Sequence, residues 1–93
     1  MLYHIAIHRP FPDKAHLLLQ SMHRFGATAR MQPGLKEVHA LKDAATGALV
    51  GFAIWESREA LMAARPALSE AVKNDPFTDW EPAPPQVMLL EEV

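Results

Sequence analysis

The 93-residue chain predicts an α+β domain of the ferredoxin-like class, in which a β-α-β-β-α-β order folds into one antiparallel sheet with two helices on one face. Two kinds of observation support this. Short segments alternate apolar and polar residues with period two, as half-buried strands do, and two longer segments repeat their apolar residues at helical spacing.

Leu2 to His8 is the first strand, with Tyr3, Ile5 and Ile7 on one side and His4, Ala6 and His8 on the other. Pro10 and Pro12 end it. From about residue 13 to 31, Ala15, Leu18, Leu19, Met22, Phe25 and Ala29 recur on one stripe of a first helix, while Lys14, His16, Gln20, His23 and Arg24 fall opposite. Pro33-Gly34 supplies the stop and turn. Lys36 to Lys42 alternates again, a short connection from Ala44 to Gly47 follows, and Leu49 to Trp55 completes a hairpin.

Ser57 is a good N-cap for the second helix, and Glu59 suits the positive end of its dipole. Leu61, Ala64, Leu68, Ala71 and Val72 stay in phase across Pro66, where a kink or a break and restart is expected, and Asn74-Asp75-Pro76 closes the helix. Phe77 to Pro85 has the composition of a stiff, proline-rich loop, and Gln86 to Glu92 is the last strand. The four strands are expected in the order 4-1-3-2, with both crossovers right-handed and residues 1–93 forming a single domain.

Composition excludes several classes of function. A net charge of -2 with scattered acids and bases, and no basic stripe, argues against nucleic acid as a partner. No apolar run approaches the roughly 20 residues of a membrane span. The start of the chain lacks the pattern of a secretory signal, so a cytoplasmic location is expected. With no cysteine, thiolate nucleophiles, disulfides and Cys-type metal sites are ruled out. The dinucleotide, Walker, HExxH and GxSxG motifs do not occur.

If each helix buries its one apolar stripe against the same sheet face, the more apolar strand faces should meet them: Tyr3, Ile5 and Ile7; Val38 and Ala40; Val50, Phe52 and Ile54. The other face would then carry His4, Ala6, His8, Glu37, His39, Leu41, Gly51, Ala53 and Trp55. Such a mixed surface suits a face-to-face association of two sheets at about 10 Å that encloses its polar members. A lone chain of this size hides only about 60 to 65% of its unfolded surface, which also favours a homodimer.

The passage Phe52-Ala-Ile-Trp-Glu-Ser-Arg-Glu-Ala60, together with Met31-Gln-Pro-Gly-Leu35 and a first strand ending His8-Arg9, resembles the antibiotic biosynthesis monooxygenase-like family of dimeric α+β barrels. The resemblance implies two ferredoxin-like sheets packed into a barrel, and a pocket between sheet and helices in each subunit. Active members oxidise polycyclic phenols without a cofactor or degrade haem, using a strand tryptophan and polar residues of the first strand. Trp55 falls at the tryptophan position, and His8 falls where haem-degrading relatives carry asparagine. Those relatives also present a histidine from the second helix, and Ser57 to Lys73 contains none.

Trp55 is thus a candidate stacking wall for an aromatic substrate, with a buried core or interface indole as the other reading. His8 is a candidate general base that would take a phenolic or enolic proton, or else a hydrogen-bonded structural residue. His4, Glu37 and His39 are candidate substrate contacts. His4 and His8 stand about 13 Å apart along one strand, too far to share a metal, and neither a metal nor a cofactor is expected. Three functions stay open: a cofactor-free oxygenase of an electron-rich aromatic or quinol, a non-catalytic module holding a small hydrophobic ligand, and a purely structural subunit.

Overall fold

Alternating segments become strands wherever both of their faces can be covered, and here β1 (Leu2–His8) lies inside the sheet. The computed structural model describes residues 1–93, and its remaining elements are α1 (Ala15–Ala29), β2 (Leu35–Lys42), β3 (Leu49–Trp55), α2 (Arg58–Val72), a one-turn helix α3 (Phe77–Trp80) and β4 (Gln86–Glu91). A short 3-10 turn at Pro12–Lys14 leads into α1. The sheet runs β2-β3-β1-β4 with every pairing antiparallel, which is the expected 4-1-3-2 order. No helix is long and apolar enough to cross a membrane.

Local chemistry fixes the connections. In the β2–β3 hairpin the Asp43 carboxylate accepts from the Ala45 amide at 3.0 Å and the Thr46 hydroxyl at 2.8 Å, and Gly47 takes φ +78°. Those hydrogen bonds hold the Asp43 carboxyl below its ordinary pKa, the one from Thr46 most strongly. Gly34 takes φ +86°, and its carbonyl accepts from the Glu56 amide at 2.7 Å, joining the end of β3 to the turn after α1. The Ser57 hydroxyl accepts from the Ala60 amide at 3.1 Å, the N-cap bond its position predicts.

One expectation is narrowed and another corrected. Helix α2 runs unbroken through Pro66, whose side chain is exposed, so of the two alternatives there the break and restart does not occur. Residues 77 to 80 are not loop but the helical turn α3: it buries Trp80 against Leu18 and Leu49, and the Phe77 ring meets Trp80 edge-on at 5.6 Å.

The larger correction concerns the faces of the sheet. Leu2 stands opposite Trp55, His4 opposite Ala53, Ala6 opposite Gly51 and His8 opposite Leu49. Leu2, Ala53 and Trp55 pack with Ala29 of α1 and with Leu61, Ala64 and Leu68 of α2, so the helices cover the histidine-bearing face of β1. Val38 shares that face as expected, because Val38 pairs with Ala53; an irregularity between Leu35 and Glu37 lets Leu35, opposite Trp55, face the helices too.

Tyr3, Ile5, Ile7, Val50, Phe52 and Ile54 therefore lie on the opposite, open face, with Met88 and Leu90 of β4 and with Glu37, His39 and Leu41 of β2. Volume decides this arrangement. Helix α1 brings Leu18, Met22 and Phe25 toward the middle of the sheet, where only a floor as small as Ala6, Gly51 and Ala53 leaves room for them. Bulky Trp55, conversely, sits where Ala29 and Ala64 are small.

Candidate active site

Small floor residues beneath large helix residues do not fill the layer completely. Between β1, β3 and α1 lies a cavity of about 230 Å³ with Ala6, Gly51 and Ala53 along its floor and Leu18, Met22 and Phe25 above, closed at the sides by Val38, Val72 and Phe77. Strand β1 turns alternate side chains the same way, so His4 and His8 both line this space, with Ala6 between them. The lining is apolar apart from the imidazoles of His4, His8 and His39 and the hydroxyl of Ser21 on the helix side.

The polar groups differ in their freedom. Burial lowers the pKa of His4 below 6.5, and the nearby positive charge of Arg65 lowers it further, so this ring is neutral at pH 7. The Ser21 hydroxyl is committed, donating to Asp75 at 2.6 Å while Arg24 donates to the other oxygen of the same carboxylate at 2.6 Å. Burial of Asp75 is the largest single influence and favours the neutral acid, yet the bonds from Ser21 and Arg24 together outweigh it and bring its pKa below 3.8. Asp75 is thus a fixed carboxylate that ties α1 to the end of α2.

His8 has a partner that sequence reasoning missed. Its Nδ1 lies 3.0 and 3.1 Å from the two carboxylate oxygens of Glu81, whose side chain is only 3% exposed. Glu81 follows α3 directly, and its amide donates to the Phe77 carbonyl at 2.9 Å, so the turn that buries Trp80 also delivers the carboxylate. A second cavity of about 320 Å³ borders this pair, walled by Phe77, Thr78 and the strap Pro82–Pro85. His8 and Phe77 border both spaces. The signal in the sequence was faint: Phe77 and Trp80 at helical spacing, and one acid set among prolines.

The other candidates lie apart from these two histidines. Trp55 is fully buried in the core between β3 and the helices; it does not line the cavity, and its indole N–H has no hydrogen-bond partner. Glu37 and His39 bond to each other at 3.1 Å on the open face, both about half-exposed. The His39 ring stacks on Phe52 there at 6.3 Å, although the residue also lines part of the cavity. His4 and His39 project to opposite faces, and no three His, Asp or Glu side chains come together as a metal site would need.

No protein-family model matches the chain, and no curated protein matches it in sequence. Solved structures do match it in shape. Rv0793 from Mycobacterium tuberculosis is 23% identical with a TM-score of 0.86, over 99% of this chain and 94% of that one. A structure named antibiotic biosynthesis monooxygenase is 20% identical with a TM-score of 0.82, over 100% and 99% of the two chains. SnoaB from Streptomyces nogalater, named a cofactor-independent oxygenase, is 14% identical with a TM-score of 0.80, over 99% and 92%. The resemblance read from the sequence thus holds at the level of fold.

Proposed function

We propose that this chain, built on the fold of the antibiotic biosynthesis monooxygenases, is a small cofactor-free oxygenase of an electron-rich phenol or quinol, with the cavity under α1 as its substrate site. The observation that carries the proposal is the placement of His8, and of a neutral His4, in a mostly apolar cavity. At about 230 Å³ the space is just under the roughly 300 to 1,000 Å³ of typical small-molecule sites, which suits one or two rings. Gly51 and Ala53 offer a flat floor to such a ring, and Phe25 a face from above.

His8 acts as the general base, taking the O–H proton of the substrate. The resulting ring anion is electron-rich and gives its electrons to dioxygen. One oxygen atom ends on a ring carbon and the other leaves as water, so a hydroquinone and dioxygen yield a hydroxyquinone and water. An apolar lining keeps bulk water from the anion while this happens. Trp55 supports the site from behind, holding the end of β3 in the core rather than stacking on the ring.

The same reading includes a second copy of the chain. The open face presents Tyr3, Ile5, Ile7, Val50, Phe52, Ile54, Met88 and Leu90 side by side, a continuous apolar surface of a kind that soluble chains cover. Two such faces stacked about 10 Å apart form the barrel of a homodimer. In that arrangement the imidazoles of His4 and His8 stay on the helix side of each sheet, outside the barrel interior.

An oxygen electrode tests the activity with 1,4-dihydroxynaphthalene as substrate, its autoxidation subtracted. Wild-type protein is expected to consume oxygen in a pH-dependent way, and His8→Ala to lose that uptake. The apolar lining equally suits a non-catalytic binding module. Thermal stabilisation by this diol without enzyme-dependent oxygen uptake would establish that reading instead.

A further inference from the structure

We propose that Glu81 is the positioning residue of this site: it holds His8 in the Nδ1–H tautomer and thereby keeps Nε2 free as the basic atom. The proposal rests on His8 being the base, and it adds how that base is set. Both Glu81 oxygens lie within 3.1 Å of Nδ1. A carboxylate only accepts, so the ring nitrogen facing it carries the proton, and a neutral imidazole then leaves its other nitrogen bare. Nε2 makes no hydrogen bond of its own, although His8 borders the substrate cavity.

The carboxylate is held as firmly as the ring it holds. Glu81 is 4% exposed, directly after Trp80, whose carbonyl accepts from the Phe11 amide at 2.8 Å and whose indole is packed against Leu18 and Leu49. Glu81 makes no other side-chain hydrogen bond, so orienting His8 is the only polar task its buried position serves. Its far side borders the cavity walled by Pro82–Pro85, which gives small solutes a route to it.

Two measurements test the proposal. Long-range ¹⁵N–¹H correlation spectra of the wild-type protein, recorded with the His8 ring neutral, are expected to show Nδ1 protonated and Nε2 bare; a dominant Nε2–H form would overturn the proposal whether or not the protein consumes oxygen. In Glu81→Ala, kcat for 1,4-dihydroxynaphthalene should fall by about 10- to 100-fold with KM little changed, as when an orienting partner is lost. Acetate entering by the proline-walled side should restore part of that rate saturably, and Glu81→Asp should retain more of it than Glu81→Ala. A full rate in Glu81→Ala, or a loss that neither acetate nor Asp relieves, would contradict the role. If the wild type consumes no oxygen while its spectra show the Nδ1–H form, the oxygenase reading fails and the positioning of His8 stands.

Discussion

Gly51 offers the sharpest perturbation, because it separates the needs of the fold from those of the site. A Cβ placed there would sit 3.8 Å from Met22 Cε and 4.0 Å from Ala6 Cβ, which is ordinary contact, so Gly51→Ala fits without strain. Removing the conformational freedom of a mid-strand glycine is worth about 0.5 to 1 kcal/mol, and burying one more carbon adds about 0.8 kcal/mol. The variant should therefore be more stable than wild type by about 1.5 kcal/mol, or roughly 6 to 12 °C in melting temperature for a domain of this size. The same methyl group projects into the cavity floor, where one methylene in an apolar pocket is worth about 1 to 3 kcal/mol of substrate discrimination. Oxygen uptake should accordingly show kcat/KM for 1,4-dihydroxynaphthalene down by about 10-fold or more. Calorimetry and the oxygen electrode on one preparation give both numbers. A destabilised variant would show that the floor has no room, and a stabilised one with unchanged kcat/KM would show that substrate lies elsewhere.

Further predictions concern the fold and the open face. Gly34→Ala adds a left-handed penalty of about 1 to 2 kcal/mol and sets a Cβ 2.6 Å from that of Ala60 in the first turn of α2, so urea denaturation should show a loss of about 2 to 5 kcal/mol. A wild-type midpoint would refute the close approach. His4 has a folded pKa below its unfolded value of 6.5, so the folded state binds fewer protons; its contribution is intact above pH 6.5 and is lost as the pH falls through the lower folded value. Urea midpoints measured between pH 7.5 and 5 should show that acid loss, and His4→Gln should remove it. Phe52→Glu puts a charge at the centre of the open face, where sedimentation should find monomer in place of a wild-type dimer. Dimer in both, or monomer in both, would argue against association through this face.

The order of the four strands and two long helices was legible because periods of two and 3.6 survive in most of their segments. Ser57 and Gly47 announced their cap and turn by chemistry alone. The faces were misread for a physical reason. Assigning the greasier side of each strand to the helices assumes that helices are the only cover available, whereas Ile5, Ile7, Val50 and Phe52 occupy the face that no helix reaches. The informative residues were the small ones, Ala6, Gly51 and Ala53, whose shared face admits Leu18, Met22 and Phe25.

The candidate site was half legible. His4 and His8 were rightly placed on one face, and that face borders a cavity, but on the helix side of the sheet. Glu81 lay beyond sequence reasoning because a residue 73 positions away from His8 is brought to it by a single helical turn hidden in a proline-rich stretch. Trp55 was open to two readings, a stacking wall or a buried core indole, and its complete burial away from the cavity fits the second.

A crystal structure with a bound, redox-stable two-ring phenol such as 2-naphthol tests the location of the site most directly. The ring should lie over Gly51 and Ala53 beneath Phe25, with its hydroxyl within hydrogen-bond reach of His8 Nε2. A ring held instead between two sheets against Ile5 and Phe52 would contradict the assignment of the cavity under α1 as the place where chemistry occurs.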